Sequence, residues 1–365
     1  MFTGRPKSRP IQNDSFVGSG VESAGSCRKL RWLIGSRFEK LTVQRLNSLT
    51  NQRVLNRPRI VSLLPSCTEI VCELGLRDQL VGRSHECDFP PAVRRLPACT
   101  QPKLNVRASS LQIDCQVSAL LQDALSIYQI DTGKLKQLRP DFILTQSQCE
   151  VCAVSLSDVE QAVSGWGGFQ PRVLSLAPNA LADVWNDILK VAGALGVAER
   201  GAEVVARVKG RVESIAGRTR HLPQRPSVAC IEWLDPLMAA GNWVPELVEL
   251  AGGLNLFGEG GKHSPWLNWE SVRERDPEII VTLPCGFDIE RTRREMSSLT
   301  DRPGWKSLRA VKNGGVYLAD GNRFFNRPGP RLVESLEILA AIIHPAVFTS
   351  RHVGVGAGGA VAQSA

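Results

Sequence analysis

Short apolar runs that end at turn residues, each followed by a stretch with helical spacing, recur through the central part of the chain. The first run covers residues 60–64 and stops at Pro65, which cannot donate a hydrogen bond to a neighbouring strand. Ser66 is a good N-cap and Glu69 completes a capping box, so we predict a helix over residues 67–75. Free backbone N–H groups at the turn between strand and helix favour a polar or anionic group of a bound molecule.

The same alternation of strand and helix patterns forms two series along the chain. The further predicted strands are residues 80–84, 142–145 and 172–176 in the first series and residues 228–233, 278–283 and 315–318 in the second. A long helical pattern at residues 180–218, ended by Pro223 and Pro226, separates the two series. We therefore predict an α/β fold with two Rossmann-like lobes, each built on a parallel sheet and joined by one long helix. A ligand of such a fold would lie between the lobes, at the carboxyl ends of the strands.

The formal net charge of +8 is concentrated in the first 57 residues. This segment holds eleven Lys or Arg residues against three acidic ones, whereas the remainder holds 33 of each kind. A neutral folded body gives no electrostatic case for binding nucleic acid. The predicted division of the chain is a basic disordered leader (1–57), an N-terminal α/β lobe (58–178), a linking helix (179–222), a C-terminal α/β lobe (223–345) and a disordered tail (346–365).

The leader is rich in arginine and serine and poor in acids, as organellar transit peptides are. Its longest apolar stretch, residues 32–34, is too short for the core of a secretory signal. No run of about 18 apolar residues occurs, so we expect no membrane span. We also expect the protein to be a monomer. The ten cysteines are too few for a disulfide scaffold and suit a reducing compartment. We therefore expect an intracellular or organellar location, or a periplasmic one if the N-terminus is misassigned.

Five segments of the chain, in order, resemble the cobalamin and iron-siderophore substrate-binding proteins of ABC importers. They are residues 59–69, 138–143, 250–255, 275–281 and 314–317. The likeness covers about residues 58 to 345 and is closest to the vitamin B12-binding branch. It implies a class III periplasmic-binding-protein fold with a helical backbone linker, whose cleft holds a bulky, partly aromatic ligand with little hinge motion.

The resemblance also implies a protein partner. In the family each lobe presents a glutamate that docks on arginines of the membrane permease. Glu270 matches the second-lobe position, whereas the first-lobe position is occupied by Gly133 or Lys134. One docking charge is therefore missing, so the resemblance implies binding of a small molecule without necessarily implying delivery to an ABC permease.

The residues that follow the predicted strands should line one cleft, because the carboxyl ends of parallel strands meet at the same edge of a sheet. The candidate ligand-binding residues are Pro65, Ser66, Cys67, Thr68, His85, Asp88, Gln146, Trp233, Asn242, Trp243, Phe287, Asn322, Phe324 and Phe325. The aromatic members would form a stacking surface for a flat macrocycle such as a corrin. The alternative is that several of them are core residues, as large aromatic side chains often are.

A second pattern consists of metal-ligand residue types, namely His85, Cys87, Cys149 and Cys152. A C-x-x-C segment places two thiols on one turn, where they either bind one metal ion or form a redox pair. His85 and Cys87 would complete a four-ligand site for zinc or another metal. Unpaired cleft cysteines are the third interpretation. His85 could instead be the axial ligand of a corrin cobalt.

No catalytic set is recognisable in the sequence, which has no G-x-x-x-x-G-K-S/T or H-E-x-x-H motif and no nucleophile elbow at Ser66. We therefore predict a binding protein, not an enzyme, that holds cobalamin or a similar metal chelate in the cleft for uptake or intracellular handling. The alternative is a Cys/His metal-binding or thiol-redox protein, an enzyme included, that uses the same scaffold.

Overall fold

The computed structural model describes residues 57–122, 127–147 and 154–350 and the backbone of residues 357–358. Its strands are β1 (Ile60–Ser62), β2 (Leu80–Arg83), β3 (Thr100–Pro102), β4 (Tyr128–Ile130), β5 (Phe142–Gln146), β6 (Arg172–Leu176), β7 (Ser227–Trp233), β8 (Met238–Ala239), β9 (Leu254–Asn255), β10 (Ile279–Thr282), β11 (Val316–Ala319) and β12 (Ala357–Gly358). Its α-helices are α1 (Pro65–Glu73), α2 (Ser110–Gln122), α3 (Thr132–Leu138), α4 (Leu156–Ser164), α5 (Leu181–Ala194), α6 (Ala198–Thr219), α7 (Val244–Leu250), α8 (Trp269–Arg275), α9 (Ile289–Glu295), α10 (Ser297–Thr300), α11 (Arg309–Lys312) and α12 (Leu332–Ile343). The leader, apart from its last residue, and most of the tail lie outside the described residues, and the domain boundaries stay predictions.

The first sheet is parallel throughout and has the strand order β2-β1-β5-β6. Every residue of β1 and β5 is buried, and both strands read as nearly continuous apolar runs. This is the pattern of central strands in a parallel sheet that is covered on both faces. A short antiparallel pair, β3 and β4, forms a separate two-stranded sheet.

The second sheet has the order β12-β11-β10-β7-β8, and β9 also pairs with β7. The strands β9, β7, β10 and β11 are parallel to their neighbours, whereas β8 and β12 pair antiparallel. Counted along the chain, the parallel strands of both sheets have the same spatial order, namely second, first, third, fourth. The predicted α/β fold with two parallel sheets is confirmed.

The linker between the two sheets contains two helices, which corrects the predicted single helix over residues 180–218. The first helix, α5, ends at Gly196, whose φ of +75° is the left-handed conformation of a Schellman cap. The amide of Gly196 donates to Gly193 O at 3.2 Å, and the amide of Val197 donates to Ala192 O at 2.9 Å. Since α5 packs against α1 while α6 packs against α7 and α12, this helical hairpin connects the two halves.

The two helices of the hairpin approach each other closely at Gly201 on α6. A Cβ at this position would lie 2.4 Å from the Cβ of Ala192 on α5, which is nearer than two carbon atoms can approach. Glycine therefore sets the spacing of the hairpin. No helix among the described residues is long and apolar enough to cross a membrane.

The first helix, α1, begins earlier than predicted and is capped differently. It starts at Pro65 after the extended N-cap residue Leu64, and no side chain caps it, so the predicted capping box of Ser66 and Glu69 is wrong. Proline suits the first helical position, because its fixed φ is helical and the missing N–H would have no partner there. The helix ends at Glu73, two residues before the predicted end, and Gly75 terminates it with a φ of +74°.

Candidate functional site

The two halves meet at a buried group of charged side chains centred on Arg327, whose side chain is 5% exposed. Its Nη1 donates to Asp88 Oδ1 at 2.6 Å and to Glu69 Oε1 at 3.2 Å. Its Nη2 donates to Asn322 Oδ1 at 3.1 Å. Glu69 lies on α1 and Asp88 follows β2, whereas Arg327 follows β11. These contacts therefore tie the two halves of the fold together.

A second buried guanidinium, that of Arg331, joins this group. Its Nη1 lies 3.6 Å from Glu69 Oε1, and its Nε donates to Glu334 Oε2 at 2.9 Å. Its guanidinium carbon lies 4.1 Å from the ring centroid of Phe89 and 4.6 Å from that of Phe324, within the range of cation–π contacts. We call the four central residues the cleft-floor cluster: Glu69, Asp88, Arg327 and Arg331.

Glu69 is deeply buried in this cluster, with 2% of its side chain exposed. Burial raises the pKa of Glu69 to about 7, although the charges of Arg327 and Arg331 act in the opposite direction. Its Oε2 atom has no hydrogen-bond partner among the described residues. The capping pattern in the sequence does not indicate that Glu69 pairs with buried arginines. Arg327 and Arg331 follow the predicted turn after β11 and are not among the candidate site residues.

His85 is half-buried in the loop after β2 and presents one ring nitrogen without a partner. Its Nδ1 lies 2.8 Å from Thr100 Oγ1, and the Thr100 hydroxyl donates to Ser84 Oγ at 3.0 Å. Because the Thr100 hydrogen is used in that bond, His85 Nδ1 carries the proton and donates it. Nε2 is left with a lone pair and with no hydrogen-bond partner among the described residues. Burial, together with the charge of Arg83, lowers the pKa of His85 to about 4, so the ring is neutral at pH 7.

Glu86, next to His85, is a half-buried acid that the sequence prediction missed. Tyr128 OH donates to Glu86 Oε1 at 3.3 Å, and burial raises the pKa of Glu86 to about 6. The ring of Tyr128 also packs 5.5 Å from the ring of His85, measured between centroids. Two polar side chains, those of Glu86 and Tyr128, therefore lie next to His85.

The predicted metal site is described only in part, because Cys149 and Cys152 lie outside the described residues. Cys87 is buried and accepts a hydrogen bond from the Thr68 hydroxyl at 3.0 Å. Burial raises the pKa of Cys87 to about 12, so its thiol is protonated at neutral pH. Within the described ranges, no three His, Cys, Asp or Glu side chains are arranged to hold a metal ion. The four-ligand site with His85 stays a prediction.

The predicted aromatic surface is buried except for one half-buried ring, that of Trp233. Trp243, Phe324 and Phe325 are 4%, 1% and 0% exposed and belong to the main apolar core. Trp243 Nε1 donates to Phe325 O at 2.8 Å, which fixes both residues there. Phe287 is also buried, but it packs against the half-buried ring of Trp233 with 5.2 Å between centroids. Core packing explains the burial of Trp243, Phe324 and Phe325. Stacking on a ligand stays a prediction, and Trp233 is the best candidate for it because its ring is half-buried.

The remaining candidate residues also differ in exposure. Those with buried side chains are Ser66, Cys67, Thr68 and Gln146. Those with part of their surface exposed are Pro65, His85, Asp88, Asn242 and Asn322. Contact of any of them with a ligand stays a prediction, and the partly exposed group is the one that a ligand can reach without rearrangement.

Gly321 allows the turn after β11 to approach the end of β10. It opens a short π-helical turn, Gly321–Phe325. A Cβ at Gly321 would lie 2.2 Å from Pro284 O and 2.4 Å from Leu283 O, so only glycine fits. This close approach places Asn322 where its side chain can accept a hydrogen bond from the cleft-floor cluster.

The predicted docking residue Glu270 lies in the first turn of α8 with 59% of its side chain exposed. It accepts a hydrogen bond from Arg273 Nη1 at 2.7 Å. In the first lobe, Gly133 and Lys134 lie in the first turn of α3, whose N-cap is Asp131. The Asp131 carboxylate accepts from the Lys134 amide at 2.8 Å and lies 3.0 Å from Lys134 Nζ. The start of α3 therefore carries an acid, Asp131, beside the position where the glutamate is missing.

A family model described as periplasmic binding protein matches residues 60–322 of the chain. The uncharacterized ABC transporter substrate-binding lipoprotein YvrC of Bacillus subtilis is 23% identical over 295 residues, which are 80% of this chain and 81% of that protein. The vitamin B12-binding protein of Vibrio cholerae is 24% identical over 283 residues, which are 76% of this chain and 86% of that protein.

Solved structures of similar proteins share the fold. A periplasmic heme binding protein from Pseudomonas aeruginosa has a TM-score of 0.61 and 21% identity, and the match covers 79% of this chain and 93% of that one. The periplasmic vitamin B12 binding protein of Vibrio cholerae has a TM-score of 0.57 and 21% identity, and the match covers 80% of this chain and 98% of that one. At these identities the likeness shows the fold alone, and it confirms the class of fold that the sequence resemblance implied.

These matches correct the expected location. The expectation of an intracellular or organellar protein is wrong, because the matched family is that of periplasmic binding proteins and YvrC is a lipoprotein. Both findings point to an extracytoplasmic location, against the indication from the basic leader. The family model spans well over half of the chain, including strands of both sheets and the hairpin between them. The chain belongs to the periplasmic binding protein family.

Proposed function

We propose that this chain is the substrate-binding protein of an ABC importer and that it holds cobalamin or a similar metal chelate in the cleft between its two halves. The observation that carries the proposal is the set of partly exposed side chains that both halves supply at and around the cleft-floor cluster: His85, Asp88, Trp233 and Asn322. A metal ligand, an aromatic face and polar groups are what a chelate in a concave site requires. The B12-binding relatives support the same class of ligand.

The charges around the cleft favour a corrin over a heme. Asp235 follows β7 and Asp320 follows β11, so two carboxylates stand at the carboxyl ends of strands in the second sheet, whereas Asp88 after β2 is paired with Arg327 and Arg94. The guanidinium groups of Arg327 and Arg331 are buried and already paired with acids. Heme carries two propionates, which such a surface repels, whereas the corrin periphery carries neutral amides around a cationic cobalt. Cobalamin is therefore our first choice and heme the second.

The test is a titration of the full-length protein with cyanocobalamin, hydroxocobalamin and hemin, followed by absorbance. We expect a dissociation constant of roughly 1 μM or lower for the cobalamins and a value at least about tenfold higher for hemin. As a control, Glu270→Gln, whose side chain is exposed on α8, should leave these affinities unchanged. Tighter binding of hemin would move the assignment to heme, and a protein that binds none of the three ligands would refute the proposal.

His85 is the side chain that we propose as an axial ligand of the metal. Its Nε2 lone pair is free because Nδ1 donates to Thr100, and the ring is neutral at pH 7. Replacing His85 with alanine should weaken hydroxocobalamin binding by about tenfold or more and remove the absorbance shift that accompanies replacement of its water ligand. Cyanocobalamin, whose cyanide is not displaced, should bind equally well to both forms.

His263 provides the matched control for that experiment, since it is exposed in a loop and its Nδ1 lies 3.0 Å from Ser264 O. His263→Ala should change neither affinity nor spectrum. If His85→Ala weakens both cobalamins equally, with unshifted spectra, then His85 contacts the ligand without coordinating its metal.

The alternative of a thiol-redox or Cys/His metal protein gains no support from the cysteines that the structure describes in the first half. Burial raises the pKa of both Cys67 and Cys87, so neither is a thiolate at neutral pH. The alternative therefore depends on Cys149 and Cys152, which lie outside the described residues. These two thiols would have to bind zinc or another metal, or form the redox pair.

Two acids, each at the start of a helix, support a permease as the partner. Asp131 and Glu270 stand at the starts of α3 and α8, and each of these helices leads into the third parallel strand of its sheet. Each acid pairs with a basic residue three positions later, Lys134 at 3.0 Å and Arg273 at 2.7 Å. We propose that Asp131 supplies the first-lobe docking charge that the glutamate pattern lacked.

A further inference from the structure

A segment of the first half crosses onto helix α9 of the second half and is held there by two side chains. Glu295 Oε2 accepts a hydrogen bond from the amide of Ser110 at 2.7 Å. Arg291 Nη2 donates to Ala108 O at 2.8 Å, and its Nη1 donates to Val106 O. The two side chains also pair with each other, with 3.6 Å between Arg291 Nε and Glu295 Oε1, and are 18% and 16% exposed. We call Arg291 and Glu295 the clasp.

The clasp lies beside two aromatic residues, Phe287 and Trp233. The guanidinium carbon of Arg291 is 3.7 Å from the ring centroid of Phe287, which packs in turn on Trp233. The held segment continues into α2, where burial and the negative charge of Asp235 raise the pKa of Asp114. Asp235 O accepts a hydrogen bond from Trp233 Nε1 at 3.1 Å, so the acid that acts on Asp114 of α2 is also in contact with Trp233.

Helix α2 has little packing of its own. Ser110, held by the clasp, is the one residue of α2 with a buried side chain, whereas Leu111 and Leu121 are 48% and 40% exposed. An element with few buried apolar contacts opens at low free-energy cost. The cleft-floor cluster differs in this respect, because Arg327 is 5% exposed and deeply enclosed. The contacts between the two halves therefore include a deeply buried one at the cleft-floor cluster and a shallower one at the clasp.

We propose that residues 106–122, which we call the arm, form a gate over the cleft and that ligand enters and leaves when the clasp releases the arm while the cleft-floor cluster stays intact. This inference rests on the proposed function, since it assigns the route to the same cleft. Rates of ligand exchange are then set by two side chains of α9 that need not touch the ligand.

The test compares Arg291→Ala and Glu295→Gln with wild-type full-length protein. Arg293→Ala is the matched control, because Arg293 lies on the same helix and is 49% exposed. We expect amide hydrogen exchange in residues 110–122 to rise by about tenfold in both clasp variants and to stay unchanged in the control. The association and dissociation rate constants for cyanocobalamin, measured by stopped-flow absorbance, should both rise by at least about threefold.

Each other outcome contradicts a defined part of the proposal. A higher dissociation rate with an unchanged association rate would mean that the clasp only stabilises the bound complex, and the gate would be wrong. Unchanged exchange in the arm would refute the clasp itself. If wild-type protein binds neither cobalamin nor hemin, the proposed function fails and the gate with it, and the exchange data alone then decide whether the clasp holds the arm. Glu295→Gln keeps the size of the side chain, so this variant still tests the clasp if Arg291→Ala does not fold.

Discussion

Replacing Arg327 with alanine is expected to lower the free energy of unfolding by about 3–5 kcal/mol, because it leaves a buried acid without its partner. Glu69, 2% exposed, would keep only the 3.6 Å contact with Arg331, and Asp88 would lose its 2.6 Å hydrogen bond. Urea unfolding of wild-type and variant proteins, followed by circular dichroism, measures the difference.

The control for this prediction is an exposed ion pair that also involves helix α1. Arg207 pairs with Glu73 of α1, and both side chains are substantially exposed, at 56% and 41%. Arg207→Ala should therefore cost less than about 1 kcal/mol. Equal losses from the two alanine variants would show that the cleft-floor cluster is no stronger than a surface ion pair, and the deep contact between the halves would have to be sought elsewhere.

Replacing Phe325 with alanine should lower the free energy of unfolding by a similar amount, about 3–5 kcal/mol, because its fully buried ring fills part of the main core. Trp233→Ala is the matched comparison, since this half-buried ring lies at the end of β7 beside the cleft. We expect it to cost less stability than Phe325→Ala and to weaken cobalamin binding by about tenfold.

The two variants separate core packing from ligand stacking. Chemical unfolding and absorbance titration are measured on both proteins, with titration under conditions where each is folded. A stable Phe325→Ala variant that no longer binds cobalamin would contradict its placement in the core. A Trp233→Ala variant with unchanged affinity would remove the aromatic contribution from the proposed site.

The order of strands and helices could be predicted because local patterns determine it. Pro65 ends the first strand whatever lies around it, and Gly75 ends the first helix through its left-handed conformation. Alternating apolar runs and helical spacing gave two α/β series, and the structure contains two parallel sheets in the same places. The location of the cleft then follows from the strand directions.

The parts that could not be predicted depend on contacts between distant residues. The spacing of Ser66 and Glu69 fits a capping box, and nothing local reveals that Glu69 pairs with Arg327, 258 positions later. Gly196 breaks a helical pattern whose apolar spacing resumes on the far side, and an isolated glycine is tolerated within helices often enough to hide the break. Aromatic residues after strands suit a core and a cleft equally well, so only burial separates Phe325 from Trp233.

The matching strand order of the two sheets gives the fold an internal pseudo-symmetry. In each half the first parallel strand lies between the second and the third, and the fourth follows the third. The loops that follow equivalent strands therefore occupy equivalent places in the two halves. Because the side chains on these loops differ between the halves, a nearly symmetric backbone presents an asymmetric surface to a ligand.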